Sequence, residues 1–383
     1  MKTLNCNYAM LNPTIVFSDD CYVIDETGKQ YLDFEAGVWC TSVGHNNKEV
    51  NAAIIQQLTQ ISHTGYRYTT NIVDKAAGKV LALTSLPEGK CVFLSSGSEA
   101  VEFSVLVAKK IIKKPYLLCL KQYFLSSYGT SSTRAENEWI TFDCSQNYED
   151  IDTCLAEIPF DQIGAFVFEP GNASGTVQLP PKSLIAEIVR RVQASGGLLV
   201  VDEVTTGIGR TGKWFGYQHY DIQPDIIAMG KGIGNGYPVS VIALSKKVSA
   251  AAEEIGFKYA QSHQNDPLGC AVVKAVISAI EHRQLIRHAS AMGEILKDAL
   301  VSLLYRHSCI KEVRGTGLML AMEFHQTVSL EQIHKELFAA GYITGFHSSA
   351  NLLRFYPPLT VEASHIKSMV QTLEQLLNKR KTL

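Results

Sequence analysis

Short continuous apolar runs alternate with longer amphipathic stretches along the 383-residue chain. "CVFL" (91–94), "YLLCL" (116–120), "AFVF" (165–168), "GLLVV" (197–201), "DIIAM" (225–229) and "VSVIAL" (239–244) are unbroken instead of alternating. Unbroken runs of this length suit strands covered on both faces. Helical period appears between some of them. In "KSLIAEIVRRVQASGG", Ile185, Val189 and Val192 share one face, and the tandem Gly196 and Gly197 offer a C-terminal stop. Strands alternating with such helices predict an α/β large domain around a mainly parallel central sheet. Ligands of open α/β sheets bind beyond the carboxyl ends of the strands, which gives a test for every candidate site residue.

From about residue 269 the pattern changes. Two long amphipathic stretches, "GCAVVKAVISAIEHRQ" and "RHASAMGEILKDALVSLLYRH", precede a strand pair around "VRGTGLMLAMEF" and two further helical stretches. The expected organisation is an N-terminal segment (1–45) contributing to a small domain, a large domain (46–268), and a C-terminal small α+β domain (269–383). The first segment carries a hairpin signal around Thr27 and Gly28 in "CYVIDETGKQYLDF". Two lobes also agree with chain length, because single cores stop growing near roughly 250–300 residues.

Charge adds an exclusion. With 35 basic against 37 acidic side chains and a net charge of −2, the chain lacks the basic surface of a nucleic-acid binder. The nine cysteines are scattered without a Cys-x-x-Cys pair, as expected of reduced thiols in a cytoplasmic protein without a metal cluster. "MKTLNCNYAMLNP" lacks the apolar core of a signal peptide, and no stretch approaches a membrane span of about 18 apolar residues.

Three of the apolar runs end in residues that a core would not choose. "GLLVV" runs into Asp202 and Glu203, "DIIAM" into Gly230 and Lys231, and "AFVF" into Glu169. A carboxylate at a buried strand end is costly unless it meets a cation or a protonated nitrogen. On these residues alone, Asp202 could simply cap a turn and pair with Lys231. A fourth feature is "FLSSGSEAVEFSVLVAKK", where Ser96 and Glu99 have the spacing of a capping box and a helix starts near Ser98. Its outward amides and dipole make a plausible anion seat. The Walker pattern is missing, since no Gly-Lys-Ser/Thr follows, and "GKGIGNG" is not G-x-G-x-x-G, which disfavours an ordinary nucleotide site. An amine, an acid and a phosphate seat at one sheet edge are what pyridoxal phosphate requires.

The segment "VVDEVTTGIGRTGKWFGYQHYDIQPDIIAMGKGIGNGYPVSVIALSKK" closely resembles the signature of class III pyridoxal-phosphate-dependent aminotransferases, the acetylornithine, ornithine and ω-amino acid family of fold type I. "YLDFEAGVWCTSVGH", "SSGSEAVEFSV", "AFVFEP", "VRGTGLMLAMEF" and "LLRFYPPLT" extend the resemblance over nearly the whole chain. It implies that Lys231 forms the internal aldimine and shuttles the proton, and that Asp202 holds the pyridinium nitrogen. Val204 would press on one face of the ring and Tyr123 would stack on the other. Gly97 and Ser98 would contact the phosphate, Glu169 would order the site, and Thr205 would stand where many members have a glutamine that reaches the ring hydroxyl. Ser262 occupies the place of a threonine that reaches the neighbouring subunit's phosphate, implying a homodimer with shared active sites; an ordinary loop hydroxyl is the alternative. Arg354 would receive a substrate carboxylate, and Trp39 would wall the amine pocket.

Departures from the pattern bear on the substrate. The usual Tyr/Phe-His-Gly is here Tyr123-Phe124-Leu125, and "EPGNASGT" puts Ser174 where ornithine-type enzymes keep a glutamate that pairs with and gates the arginine. The resulting expectation is an aminotransferase passing nitrogen from a primary amine, of the ω type, to a 2-oxo acid. An aminomutase or racemase of the same fold, running on one compound alone, is the alternative; a non-catalytic binding protein would show no exchange with amines.

Overall fold

The computed structural model describes residues 13–144 and 150–381; Cys6 and most of the N-terminal stretch quoted above lie outside them. β1 (Ile15–Asp19), β2 (Tyr22–Asp25) and β3 (Gln30–Asp33) form an antiparallel meander. Its β2–β3 turn falls at the expected place. Asp25 Oδ1 accepts from Thr27 N at 2.8 Å and Lys29 N at 3.0 Å, while Gly28 takes a φ of +86°.

The central sheet holds β4 (Lys90–Leu94), β5 (Tyr116–Leu120), β6 (Trp139–Phe142), β7 (Ile163–Phe168), β8 (Leu198–Asp202), β9 (Ile226–Met229) and β10 (Ser240–Leu244), in the order β4-β10-β9-β8-β7-β5-β6. β10 runs antiparallel to both neighbours and the other pairings are parallel. Alternate residues of the inner strands enter two different cores. Phe166, Phe168, Leu199 and Val201 pack on one side, and Ala165, Val167, Leu198 and Val200 on the other. That two-sided burial is why these strands are apolar at every position.

Helix Lys182–Ala194 covers one side through Leu184, Ile185, Ile188, Val189 and Val192 and stops before Gly196, whose φ is +80°. The C-terminal part contains helices Pro267–His282 and Leu285–Arg306, then β11 (Ile310–Thr316) and β12 (Met319–Phe324). β13 (Tyr342–Ile343) pairs in parallel with β3, which ties this part to the N-terminal meander. β14 (Gly345–His347) and β15 (Leu352–Phe355) complete a sheet of order β11-β12-β15-β14. Among the described residues no helix is long and apolar enough to cross a membrane, and Cys21, Cys40, Cys91, Cys119, Cys144, Cys154 and Cys270 are free thiols.

Candidate active site

β4, β7, β8 and β9 all deliver their carboxyl ends to one edge of the central sheet, and the polar residues that interrupt the apolar runs gather there. Lys231 follows β9 through Gly230 and has a φ of 43°, a left-handed conformation that a side-chain-bearing residue keeps only when its surroundings impose it. Its Nζ donates to Thr205 Oγ1 at 2.8 Å. Burial lowers the pKa of this amine, against the pull of the Asp202 and Glu169 carboxylates. Asp202 ends β8, and its Oδ1 accepts from Val204 N at 2.9 Å. Burial raises its pKa, with the Val204 N–H and Lys231 acting the other way.

Glu169 is fully buried after β7. One oxygen accepts from Ala173 N at 3.2 Å and the other has no partner, and burial next to Asp202 drives its pKa well up. Neighbouring Glu203, by contrast, spends its oxygens on Gly216 N, Tyr217 N and Thr206 Oγ1, a structural clamp on the loop after β8.

Helix Gly97–Ile111 starts on the same edge. Ser96 Oγ accepts from Glu99 N, and the Glu99 carboxylate reaches back to Ser96 N, so the capping box expected from the sequence is formed. The box occupies the helix-start amides of Ser96 and Glu99, and Gly97 and Ser98 lie between them in the first turn. Gly97 is there for space: a Cβ would come within 2.5 Å of Val204 Cγ1. Ser98 Oγ accepts from Ser127 N at 2.9 Å, joining the helix start to the loop after β5.

The opposite wall is built by Trp39 and Arg354. Lys231 Nζ lies 5.0 Å and Arg354 Cζ 5.2 Å from the centre of the Trp39 ring, so the indole lines the path between amine and guanidinium. Arg354 Nη1 donates to the carbonyls of Ser174 and Gly175. The indole is presented by a short left-handed turn, Ala36–Trp39, in which all four residues have positive φ.

Trp39, Gly97, Ser98, Asp202, Val204, Thr205, Lys231 and Arg354 thus border a single cavity of about 440 Å³. Three expected residues do not. Tyr123 is a correction: its ring packs into the core and its hydroxyl donates to Gln178 O at 3.1 Å, so it is turned away from the cavity. The adjacent Phe124, half exposed, lines it instead, with Leu125 and Ser127. Ser262 is exposed in a turn outside the cavity, although its neighbour Gln261 bonds Ser95 Oγ and Glu99 Oε1. Glu169 stands behind the cavity wall. Ser174 does line it, through the segment whose carbonyls hold Arg354. Elsewhere His63 and His263 both bond the Asp266 carboxylate at 2.6 Å.

The whole chain bears comparison with known proteins. The family model Aminotransferase class-III matches residues 5–124 and 120–377. This chain belongs to the class-III aminotransferases. It is 29% identical to the acetylornithine aminotransferase of Bacillus subtilis (strain 168), over 98% of each chain. It is 28% identical to a leucine/methionine racemase of Thermococcus litoralis, over 93% of this chain and 88% of the racemase. The solved structure of an S-selective transaminase from Arthrobacter sp. has the same fold, with a TM-score of 0.92 at 24% identity over 100% of this chain and 97% of that one. The fold is thus that of the pyridoxal-phosphate enzymes of fold type I, and the protein is a pyridoxal-phosphate-dependent aminotransferase. The residues present fit the cofactor: one cavity offers an amine, a buried acid and a helix start at three of its corners.

Proposed function

We propose that this aminotransferase moves nitrogen from a primary amine that has no carboxylate beside its reacting carbon to a 2-oxo acid, whose carboxylate is received by Arg354. The supporting observation is the placing of the Lys231 amine and the Arg354 guanidinium on the same indole, at 5.0 and 5.2 Å. Bound pyridoxal phosphate supplies the electron sink that lets the amine-bearing carbon lose a proton. Lys231 Nζ takes that proton and returns it. Burial serves this role by favouring the neutral amine, and Thr205 Oγ1 aims it.

Asp202 would face the ring nitrogen and hold it protonated, backed by Glu169. Gly97 and Ser98 would meet the phosphate at the helix start. Val204, wedged against Gly97 and Gly230, would press on one ring face and Phe124 would cover the other. Trp39 keeps water from the reacting carbon. The ω-type donor follows from the indole wall and from Ser174, which leaves Arg354 without the glutamate of ornithine-type enzymes. We also infer a homodimer in which Ser262 serves the neighbouring site, and a cytoplasmic location, which the free thiols support.

The test separates the half-reactions. In Arg354→Ala, single-turnover absorbance should show the oxo-acid half-reaction slowed by about 100-fold or more, as for loss of a charge-assisted pair. The amine half-reaction should change by less than about threefold. Equal losses would assign Arg354 to both substrates. The relative that racemises leucine and methionine favours a second reading, a single-substrate isomerase; steady turnover of one compound with no acceptor present would establish it.

A further inference from the structure

Glu35 lies just before the left-handed turn that carries Trp39. Its N–H donates to Asp33 Oδ1 at 2.8 Å and its carbonyl accepts from Trp39 N at 2.7 Å, so the backbone on both sides of it is fixed. Its side chain is half-buried, and its buried Oε1 has no hydrogen-bond partner. Arg354 Nε is likewise buried without a partner. The two atoms border one small space, left open because β14 has a glycine there. A Cβ on Gly345 would collide with Glu35 Oε1 and sit 3.1 Å from Arg354 Nε. Gly345 is also the residue that pairs with Arg354 across β14 and β15.

A carboxylate and a guanidinium, each with a buried unsatisfied atom turned to the same gap, are costly apart and favourable together. The carbonyls of Ser174 and Gly175 occupy only Nη1 of the guanidinium. During the amine half-reaction Arg354 faces a donor that offers it no anion. During the other half-reaction a substrate carboxylate must take it.

We propose that Glu35 is a carboxylate switch on Arg354: ionised, it pairs with the guanidinium and competes with acceptor carboxylates, and on taking up one proton it releases Arg354 to them. The switch rests on Arg354 being the carboxylate receiver. Sequence offers the same side chain by an unexpected route, because Ser174 fills the place from which ornithine-type enzymes supply a glutamate. Burial raises Glu35 to about 7, with Arg354 and the Trp39 indole N–H opposing the rise and Asp33 reinforcing it. The other charged or titratable groups around the pair are Tyr356 after β15, His347 of β14 beside Arg354, and Lys231 across the indole.

The test uses the holoenzyme and butyrate, an unreactive carboxylate, with binding read from the cofactor's visible band. Ionisation of Glu35 opposes binding, so the wild-type Kd should rise at least about fivefold from pH 6 to pH 8. In Glu35→Gln, a near-isosteric change, the rise should stay under about twofold, and butyrate should bind at least about fivefold more tightly than in wild type at pH 8. Titration of the cofactor itself affects both proteins alike and cancels in their ratio. Arg354→Ala should bind butyrate weakly at both pH values. If Glu35→Gln follows the wild-type pH profile while Arg354→Ala loses binding, the switch is wrong and the role of Arg354 stands. If Arg354→Ala binds as well as wild type, the receiver itself is wrong and the switch falls with it.

Discussion

Four consecutive residues with positive φ, Ala36 to Trp39, are an expensive way to present one indole. Asp33 makes the turn hold: its Oδ1 accepts from Glu35 N, and its Oδ2 accepts from Gly37 N and bonds His45 Nε2, each at 2.8 Å. Val38 carries the least compensated strain, being β-branched at a φ of 55° with a side chain that is 59% exposed. Val38→Gly should therefore raise the melting temperature by about 1–2 °C, since relief of roughly 1 kcal/mol is only partly offset by glycine's extra freedom when unfolded. A lowered melting temperature would show that the valine side chain is in use. None of this was legible in "FEAGVWC", where only Gly37 hints at an unusual backbone. Glu35 was hidden for the same reason, since its neighbour in space, Arg354, is brought to it by β15. Nor does the sequence show which of the adjacent Tyr123 and Phe124 lines the cavity. Two adjacent aromatics point opposite ways, and it was the carbonyl of Gln178, 55 residues on, that drew the tyrosine inward.

At the scale of elements, the central sheet was legible because burial on both faces leaves an unbroken apolar signal in β5, β7, β8 and β9. β6 gave no such signal: it lies at the sheet's edge, and only Trp139 of "WITF" is fully buried. Nor could periodicity show that β10 runs backwards, since an apolar run reads alike in both directions. Helix Gly97–Ile111 was legible from its capping box, yet the box only partly explains its glycine. Gly97 lets the helix start close against the β8 and β9 ends, with Val204 wedged between Gly97 and Gly230. Gly97→Ala would force Val204 toward the cavity or the helix away from it. Overpacking of that kind costs about 1–3 kcal/mol, so the Kd for pyridoxal phosphate, followed by absorbance, should rise by about tenfold or more. Unchanged cofactor affinity would mean that Val204 has room to turn aside and that the helix start does not set the seat.

For the whole molecule the open question is how many chains make one site. Ser262 lies outside the cavity of its own chain, in an exposed turn whose Gln261 is bonded to Ser95 and Glu99 at the helix start. A loop anchored beside its own site, with its serine exposed outside the cavity, suits service to a second copy, as the class-III resemblance implies. The proposed homodimer should scatter light as twice the 42.1 kDa of one chain. Subunit mixing carries the decisive test. Ser262→Ala alone should weaken cofactor binding severalfold, by loss of a hydrogen bond of about 1 kcal/mol, and Lys231→Ala alone should abolish the visible cofactor band. A hybrid of one Ser262→Ala chain with one Lys231→Ala chain has, if sites are shared, one site with its own lysine and the partner's serine both intact. That hybrid should regain wild-type cofactor affinity at one site per dimer. If the serine serves its own chain's site, the only lysine-bearing site in the hybrid lacks it, and the affinity should stay at the Ser262→Ala value.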